Sequence, residues 1–283
     1  EYGSNLVALR HPAKRLGVER SWVPDDPSGQ IDINSLESQI DKRVKLICLT
    51  QFPSGGGLVN PAEEVGKVAK AAGIPYLLDA CQALGQMPVD VDQLGCDLLC
   101  GTGRKFLRGP RGTGLLYVRK ILLEQLEPNQ LNHHAAPLLS ANNYQLRSDA
   151  KRFECWERSY AAQLALGVAI DYALACGLAA ISDRVRFLAA KLRQKLADID
   201  GVTIADQGLE PCAIVTFSCA QIPADQLQQQ LALRQINTST VPFSANPVRS
   251  EKLHHPALLR ASPHYYNTVE EMEHFVAELK QLL

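Results

Sequence analysis

Short apolar runs alternate with one amphipathic stretch in the first part of the chain. KLICLT, at residues 45–50, is an apolar run followed by the turn-rich PSGGG, which predicts a buried strand. Between Pro61 and Ala72, apolar residues recur at spacings of three and four and a glycine follows, which predicts a helix. IPYLLDA comes directly afterwards and predicts a second buried strand, which ends at Asp79.

A strand, a helix and a strand joined by short loops predict a parallel pair with a right-handed crossover. Sheets of this kind bind ligands at the carboxyl ends of their strands. Further apolar runs predict strands at Asp97–Cys100 and Gly114–Val118. The first part of the chain is therefore expected to form an α/β domain with a mostly parallel sheet.

The pattern changes to long amphipathic helices between Tyr160 and Leu196, with a break at Gly177. Apolar runs and periodic stretches follow, and they predict a strand at 212–219, a helix at 224–235, a strand near 260 and a helix at 269–283. These elements indicate a second, smaller α+β unit.

The two units define the expected domain organisation. NQLNHHAAPLLSANNYQ, which lies between them, is polar and loop-like. We predict a large domain at 1–125, a connecting and interface segment at 126–155, and a small C-terminal domain at 156–283.

Charge and hydropathy restrict the partners of this chain. It carries 29 basic and 30 acidic residues, so no overall field attracts nucleic acid or a membrane surface. No apolar run reaches the roughly 20 residues that span a bilayer, and no charged and apolar leader opens the chain. We expect a small-molecule partner, no nucleic acid, no membrane and a cytoplasmic location.

The cysteines and histidines do not predict a metal site. The eight cysteines form no CxxC pair and sit mostly in apolar runs, so buried, reduced thiols are expected. His133–His134 and His254–His255 are adjacent pairs, and adjacent side chains on regular structure do not converge on one metal.

An aspartate and a lysine, each near the end of a predicted strand, carry the candidate chemistry. Asp79 closes an apolar strand, where an unpaired carboxylate is costly to bury and is expected to face a ligand cleft. Lys105 lies in GTGRKFLRGPRGTG beside Arg104, Arg108 and Arg111. Clustered positive charge lowers the pKa of a lysine and makes it a better amine nucleophile, as a Schiff base requires.

Two other interpretations of the lysine loop are open to this reasoning. Glycines, Thr102 and Lys105 resemble parts of a nucleotide-binding loop, but no GxxxxGK[ST] can be drawn, because the lysine follows an arginine. A basic, solvated loop beside an ordinary sheet is the simpler interpretation.

A longer motif adds to this reading. The run from Tyr76 to Val118 combines an aspartate, a glutamine three residues later, PVDV, TGRK and GPRGTGLLYV, and it resembles class V aminotransferases of the cysteine desulfurase and selenocysteine lyase group. The resemblance extends from EYGSN at the start to RFE at 152 and LRASPHYYNT at 259. It implies the α/β fold-type I of pyridoxal 5′-phosphate (PLP) enzymes, PLP as cofactor, an amino-acid substrate and a homodimer.

The resemblance also implies roles for individual residues. Lys105 would hold PLP as a Schiff base and move protons at the substrate α-carbon, and Asp79 would pair with the pyridine nitrogen. Gln82 would hydrogen-bond the phenolic oxygen, and Thr102 with Arg104 would bind the phosphate.

Three further positions match the family with an alternative beside each. Tyr2 falls where relatives stack a ring on the pyridine, although it could be a frayed terminal residue. Ser54 stands near the expected substrate, although PSGGG could be a plain turn. Arg260 matches the arginine that binds the substrate carboxylate, although it could form a structural salt bridge. Arg152 is interpreted as a scaffold residue.

Two departures from the family affect the predicted reaction. Desulfurases carry a mobile cysteine ahead of the carboxylate-binding arginine, but residues 237–259 contain none. Members of the family also have a stretch before EYGSN, so an amino-terminal portion is expected to be missing here.

The reaction class follows from the first departure and from the finer resemblance. EYGSN, TGRKFLRGPRGTG, RFECWE and RASPHYYNT are most similar to the branch that contains the carbon–sulfur lyase of ergothioneine biosynthesis and isopenicillin-N-epimerase-like proteins. We predict a carbon–sulfur β-lyase that releases pyruvate and ammonia. A transaminase or an epimerase is the alternative, and a desulfurase or a non-catalytic remnant is disfavoured.

Overall fold

The computed structural model describes residues 2–242 and 257–283. Its α-helices are α1 (Gly3–Leu16), α2 (Ile33–Ser38), α3 (Ala62–Ala72), α4 (Tyr160–Cys176), α5 (Leu178–Ala197), α6 (Ala224–Leu233) and α7 (Val269–Leu282). Its strands are β1 (Ile47–Thr50), β2 (Tyr76–Asp79), β3 (Leu98–Thr102), β4 (Gly114–Val118), β5 (Leu138–Ser140), β6 (Asn143–Tyr144), β7 (Val202–Ile204), β8 (Val215–Cys219), β9 (Ser239–Val241) and β10 (Leu258–Ala261). Short 3-10 helices span Lys120–Gln125 and Ala150–Phe153.

The first sheet has the strand order β1-β2-β3-β4. β1, β2 and β3 are parallel, and β4 runs antiparallel to β3. The register pairs Thr50 with Asp79 and Asp79 with Cys100, so these three residues lie side by side where the strands end. The predicted α/β unit with a mostly parallel sheet is confirmed, and its polar strand ends share one edge.

α3 connects β1 to β2 and covers the sheet. Pro61 precedes its first turn, and Gly73 ends it in the left-handed conformation at φ 66°. The α3 residues Val65, Val68 and Ala69 are buried against the sheet, in one cluster with the sheet residues Tyr76 and Leu78. Burial of this apolar face fixes the β1–α3–β2 unit, since hydrophobic burial is the dominant favourable term in folding.

The second sheet is antiparallel, with the order β7-β8-β10-β9. Side chains from α5, α6 and α7 pack on it around Phe217 and Leu259. Thr268 and Glu271 form a capping box that begins α7. These elements confirm the predicted α+β unit, although the structure adds β7 and β9, which the apolar pattern did not indicate.

The regions between the sheets differ in part from expectation. α1 was not predicted, and the connecting segment contains the hairpin of β5 and β6. Arg152 is buried there and donates to the carbonyls of Arg147, Leu123 and Leu126, as a scaffold residue does. The proposed domain limits stay predictions.

Two findings concern cysteines and membrane passage. All eight cysteines are free; Cys96 and Cys212 are buried, but Cys155 and Cys176 are exposed, so the expectation of buried thiols is wrong for those two. Among the described residues no single helix is long and apolar enough to cross a membrane; α4 and α5 together pass that test but meet at 80°. His254 and His255 lie outside the described residues.

Candidate active site

A cavity of about 130 Å³ opens where β1, β2 and β3 end. Its lining includes seven of the eight predicted site residues: Tyr2, Ser54, Asp79, Gln82, Thr102, Arg104 and Lys105. The first sheet places most of them, because the carboxyl ends of its parallel strands meet at one edge. The cavity therefore assembles residues that lie up to 103 positions apart in the sequence.

Asp79 forms part of the cavity wall. It is the last residue of β2 and is only 6% exposed. Its Oδ2 accepts a hydrogen bond of 2.7 Å from Asn5 Nδ2, and its Oδ1 accepts one of 2.8 Å from the backbone nitrogen of Cys81. These two donors orient the carboxylate at the cavity.

Lys105 lies in the loop that joins β3 to β4. The loop is closed by hydrogen bonds from Gly103 N to Thr113 O at 2.9 Å and from Gly109 N to Gly103 O at 2.7 Å. Burial lowers the pKa of Lys105, and the charge of Arg104 acts in the same direction, against Cys81 and Asp79. The amine is thus closer to its neutral, nucleophilic form than an exposed lysine.

The predicted cause of this lowered pKa needs correction. The sequence reading attributed it to three arginines, but burial is the first cause, and Arg104 is the arginine that contributes. Arg108 has a left-handed backbone at φ 61° and instead donates to the hydroxyl of Tyr265 at 2.9 Å. Arg111 is exposed. Neighbouring positions in sequence point in different directions because the loop turns sharply here.

The lysine loop packs against Gly85 and His264 through its residue Phe106. Gly85 has φ 85°, and a Cβ there would lie 2.5 Å from the backbone of Phe106, so only glycine permits this approach. His264 is stacked on Phe106, and burial lowers its pKa to about 4. Its Nδ1 accepts from Tyr265 N, which leaves Nε2 to donate to Phe106 O at 3.2 Å.

Tyr2, Thr102 and Arg104 lie around Lys105. Tyr2 precedes α1, and its ring centroid is 5.6 Å from Lys105 Nζ. Arg104 Nη1 lies 3.4 Å from Thr102 Oγ1, which places a guanidinium and a hydroxyl together on the cavity wall. Such a pair can donate hydrogen bonds to an anionic group.

Arg260 is the predicted site residue that does not line the cavity itself. It lies on β10, and its Nη1 donates to the carbonyl of Ser54, which is on the cavity wall, at 2.9 Å. Its Nε is buried without a partner among the described residues, and burial lowers the pKa of the guanidinium. A buried donor without a partner is costly and is the arrangement expected of a group that binds an anion.

Ser54 belongs to the PSGGG loop, which the second unit holds in place. Gly57 N donates to Asp206 Oδ1 at 2.9 Å, and Cys212 N donates to Gly57 O at 2.7 Å. Arg193 forms a 2.8 Å ion pair with Asp206 that is largely buried. A Cβ on Gly57 would lie 2.6 Å from this arginine, so the loop is anchored and is more than a plain turn.

The sequence reading missed five residues of the cavity wall: Asn5, Thr50, Phe52, Cys81 and Cys100. Asn5 is part of the EYGSN motif, in which the family resemblance implied a role for Tyr2 but none for the asparagine. The period-two alternation of strands could have indicated Thr50 and Cys100, which flank Asp79 across the sheet. Cys81 carried no pattern of its own.

Comparisons with known proteins agree with this geometry. The family model described as aminotransferase class-V matches residues 1–275. A cysteine desulfurase of Yersinia pestis (strain Pestoides F) is 33% identical over the whole chain, which corresponds to 69% of that protein. The apo structure of a cysteine desulfurase from Thermococcus onnurineus NA1 is 27% identical, with a TM-score of 0.93, and the match covers 100% of this chain and 70% of that one.

More distant structures share the fold. C-DES, solved with glycine covalently linked to its PLP cofactor, is 21% identical with a TM-score of 0.86. That match covers 99% of this chain and 72% of the C-DES chain.

Proposed function

The chain belongs to the class V aminotransferase family, and from this premise we propose that it binds PLP in the cavity and cleaves the carbon–sulfur bond of a cysteine-type amino acid. The observation that carries the proposal is the meeting of a buried carboxylate, Asp79, and a half-buried amine of lowered pKa, Lys105, in one cavity. The family resemblance implies the same two residues, with Lys105 holding the cofactor and Asp79 pairing with its ring nitrogen.

The residues of the cavity fit PLP group by group. Asp79 offers a carboxylate to a protonated ring nitrogen, and Lys105 offers an amine to the aldehyde carbon. Thr102 and Arg104 offer a hydroxyl and a guanidinium to the phosphate, and Gln82 is a buried amide on the same wall. Tyr2 offers an aromatic face beside Lys105.

When bound, PLP supplies an electron sink for negative charge that develops on the substrate α-carbon. Lys105 is the base that removes the α-proton, because its lowered pKa increases the neutral fraction of the amine. Arg260 binds the substrate carboxylate, since its buried Nε needs an acceptor and its Nη1 already donates to the carbonyl of Ser54 on the cavity wall.

We assign the reaction to β-elimination followed by hydrolysis, which consumes water and forms pyruvate, ammonia and a sulfur product. Support comes from residues 237–259, which contain no cysteine to receive sulfur. Cys81 and Cys100 line the cavity beside Asp79, but the side chain of Cys100, burial and Asp79 raise the pKa of Cys81, so its thiol is a poor nucleophile at neutral pH. The finer resemblance to the ergothioneine lyase and epimerase branch stays a prediction.

Cysteine desulfurase activity is the second candidate. The curated relative that is 33% identical over the whole chain carries that name, as does the structure with a TM-score of 0.93. A desulfurase keeps the substrate nitrogen in alanine, whereas a β-lyase releases that nitrogen as ammonia together with pyruvate. A transaminase or epimerase would leave the carbon–sulfur bond intact.

The products of L-cysteine therefore separate the candidates. We would incubate the PLP-loaded protein with L-cysteine, with and without dithiothreitol, and quantify pyruvate, alanine and sulfide, with Lys105→Ala as the inactive control. Equal amounts of pyruvate and sulfide support the lyase. Alanine in place of pyruvate would establish the desulfurase, and the absence of sulfide would contradict both.

A homodimer is also part of the proposal. Tyr160, Leu164, Val168 and Tyr172 recur every four residues along α4 and are 55–75% exposed, which leaves an apolar stripe on one helix face. The family resemblance implies a homodimer, and we propose that a second copy of the chain covers this stripe. The cytoplasmic location stays a prediction.

A further inference from the structure

Two thiols and a carboxylate meet on the cavity wall, and the proposed reaction uses only the carboxylate. The ligand atoms of Asp79, Cys81 and Cys100 all lie within 4.8 Å of one another. Asp79 is buried, the two thiols are half-buried, and all three line the cavity.

The backbone of the first sheet brings these three groups together. Asp79 and Cys100 are register partners on the parallel strands β2 and β3. Cys81 follows two residues after Asp79, and its backbone nitrogen donates to Asp79 Oδ1 at 2.8 Å. That bond fixes the turn that carries the thiol, so the cluster depends on the sheet and on a short turn.

Two thiols and a carboxylate form a ligand set for a thiophilic divalent cation. Zinc binds cysteine sulfur at about 2.3 Å and carboxylate oxygen at roughly 2.0–2.2 Å. Tetrahedral ligands at these distances lie about 3.5 Å apart, so small side-chain rotations would bring the three groups into position. Soft thiolate ligands favour Zn²⁺ and Cd²⁺ over Mg²⁺ or Ca²⁺.

We propose that Asp79, Cys81 and Cys100 form a binding site for a thiophilic divalent cation, with a fourth position open to the cavity. This site does not depend on the proposed function. A consequence for PLP binding does rest on the proposed function. The cation would occupy the Asp79 carboxylate that we assign to the PLP ring nitrogen, so cation and cofactor would exclude each other.

Titration of the PLP-free chain with Cd²⁺ tests the site. The reference protein carries Cys155→Ser and Cys176→Ser, which remove the two exposed thiols. We expect an ultraviolet cadmium–thiolate absorption that saturates at one cation per chain, is lost on adding Cys81→Ser or Cys100→Ser, and is retained on adding Cys219→Ser. Circular dichroism confirms that each variant is folded.

Absence of this absorption, or its persistence in both folded cavity variants, would overturn the site. If a cavity variant does not fold, Asp79→Asn replaces it, and an unchanged Cd²⁺ affinity would then count against the site.

Absorption of bound PLP tests the exclusion separately. We expect Cd²⁺ to displace PLP from the reference protein and to have no effect on PLP bound to Cys81→Ser. Simultaneous binding of both would overturn the exclusion and leave the cation site intact. If PLP does not bind even without Cd²⁺, the proposed function and the exclusion both fail, while the Cd²⁺ titration still decides the site.

Discussion

Two buried aspartates, one beside each sheet, have opposite roles in this molecule. Asp206, whose side chain is 2% exposed, accepts from Gly57 N, Arg193 Nε and both the backbone and hydroxyl of Thr216. Asp79 is also buried, but it accepts from Asn5 and Cys81 N and borders a cavity. The first carboxylate is committed to the scaffold, whereas the second is available to a ligand.

The topology of the two sheets explains this difference. Parallel strands place their carboxyl ends at one edge, so Thr50, Asp79 and Thr102 surround a common space. The antiparallel sheet alternates its strand ends, and its side chains mainly fill the core under α5, α6 and α7. Its contribution to the site is to hold the PSGGG loop and to present Arg260.

The largest expected effect separates the two aspartates by stability. Asp206→Ala leaves the largely buried Arg193 without its ion pair, which should lower the free energy of unfolding by about 3–5 kcal/mol. Asp79→Asn keeps the shape of the side chain. Its two hydrogen-bond donors, Asn5 Nδ2 and Cys81 N, are neutral, so the substitution leaves neither of them as an unpaired charge and its effect should be much smaller. Urea unfolding of both variants measures the difference, and equal losses would contradict the comparison.

An intermediate effect is expected at Arg260, where the second sheet reaches the site. Arg260→Lys keeps a positive charge but loses the planar fork that holds Ser54 O and that we propose binds the substrate carboxylate. Loss of a charged hydrogen bond costs about 1.5–3 kcal/mol, so KM should rise about 10- to 100-fold with a smaller change in kcat. Steady-state kinetics with L-cysteine measure this split. A fall in kcat at constant KM would instead assign Arg260 to the chemical step.

The smallest expected effect is a shift in pH dependence at the first sheet. Arg104 lowers the pKa of Lys105, so Arg104→Gln should raise it and move the inflection of PLP capture to higher pH. The sign follows because the neutral amine reacts and a higher pKa delays its formation as pH rises. PLP attachment rates across a pH series measure the inflection, with Arg111→Gln, an exposed position in the same loop, as the control. Equal shifts in both variants would show a general charge effect.

The fold and much of the cavity could be predicted from local sequence signals. Apolar runs and helical spacing located β1, α3 and β2 to within a few residues, because each of these elements buries one continuous apolar face. The family resemblance supplied the positions of Asp79, Lys105 and their neighbours. α1 was missed because its residues are mostly exposed and it has no strong apolar face.

The direction of each side chain could not be read from the sequence. Arg104 and Arg108 are four residues apart in one basic loop, yet one faces the cavity and the other contacts Tyr265. Burial is the main cause of the lowered pKa of Lys105, and it depends on how the lysine loop packs on Gly85 and α4. Such effects require the distances between residues that are remote in sequence.

The sequence by itself indicated the parallel β1–α3–β2 unit and the candidate aspartate and lysine, Asp79 and Lys105. Only the tertiary structure decided that Asn5 orients Asp79, that Asp206 anchors the PSGGG loop, and that Cys81 and Cys100 share the cavity wall. The physical reason is range: secondary structure follows from the spacing of neighbouring side chains, whereas hydrogen bonds, desolvation and ion pairs act between groups that only the folded chain brings within a few ångströms.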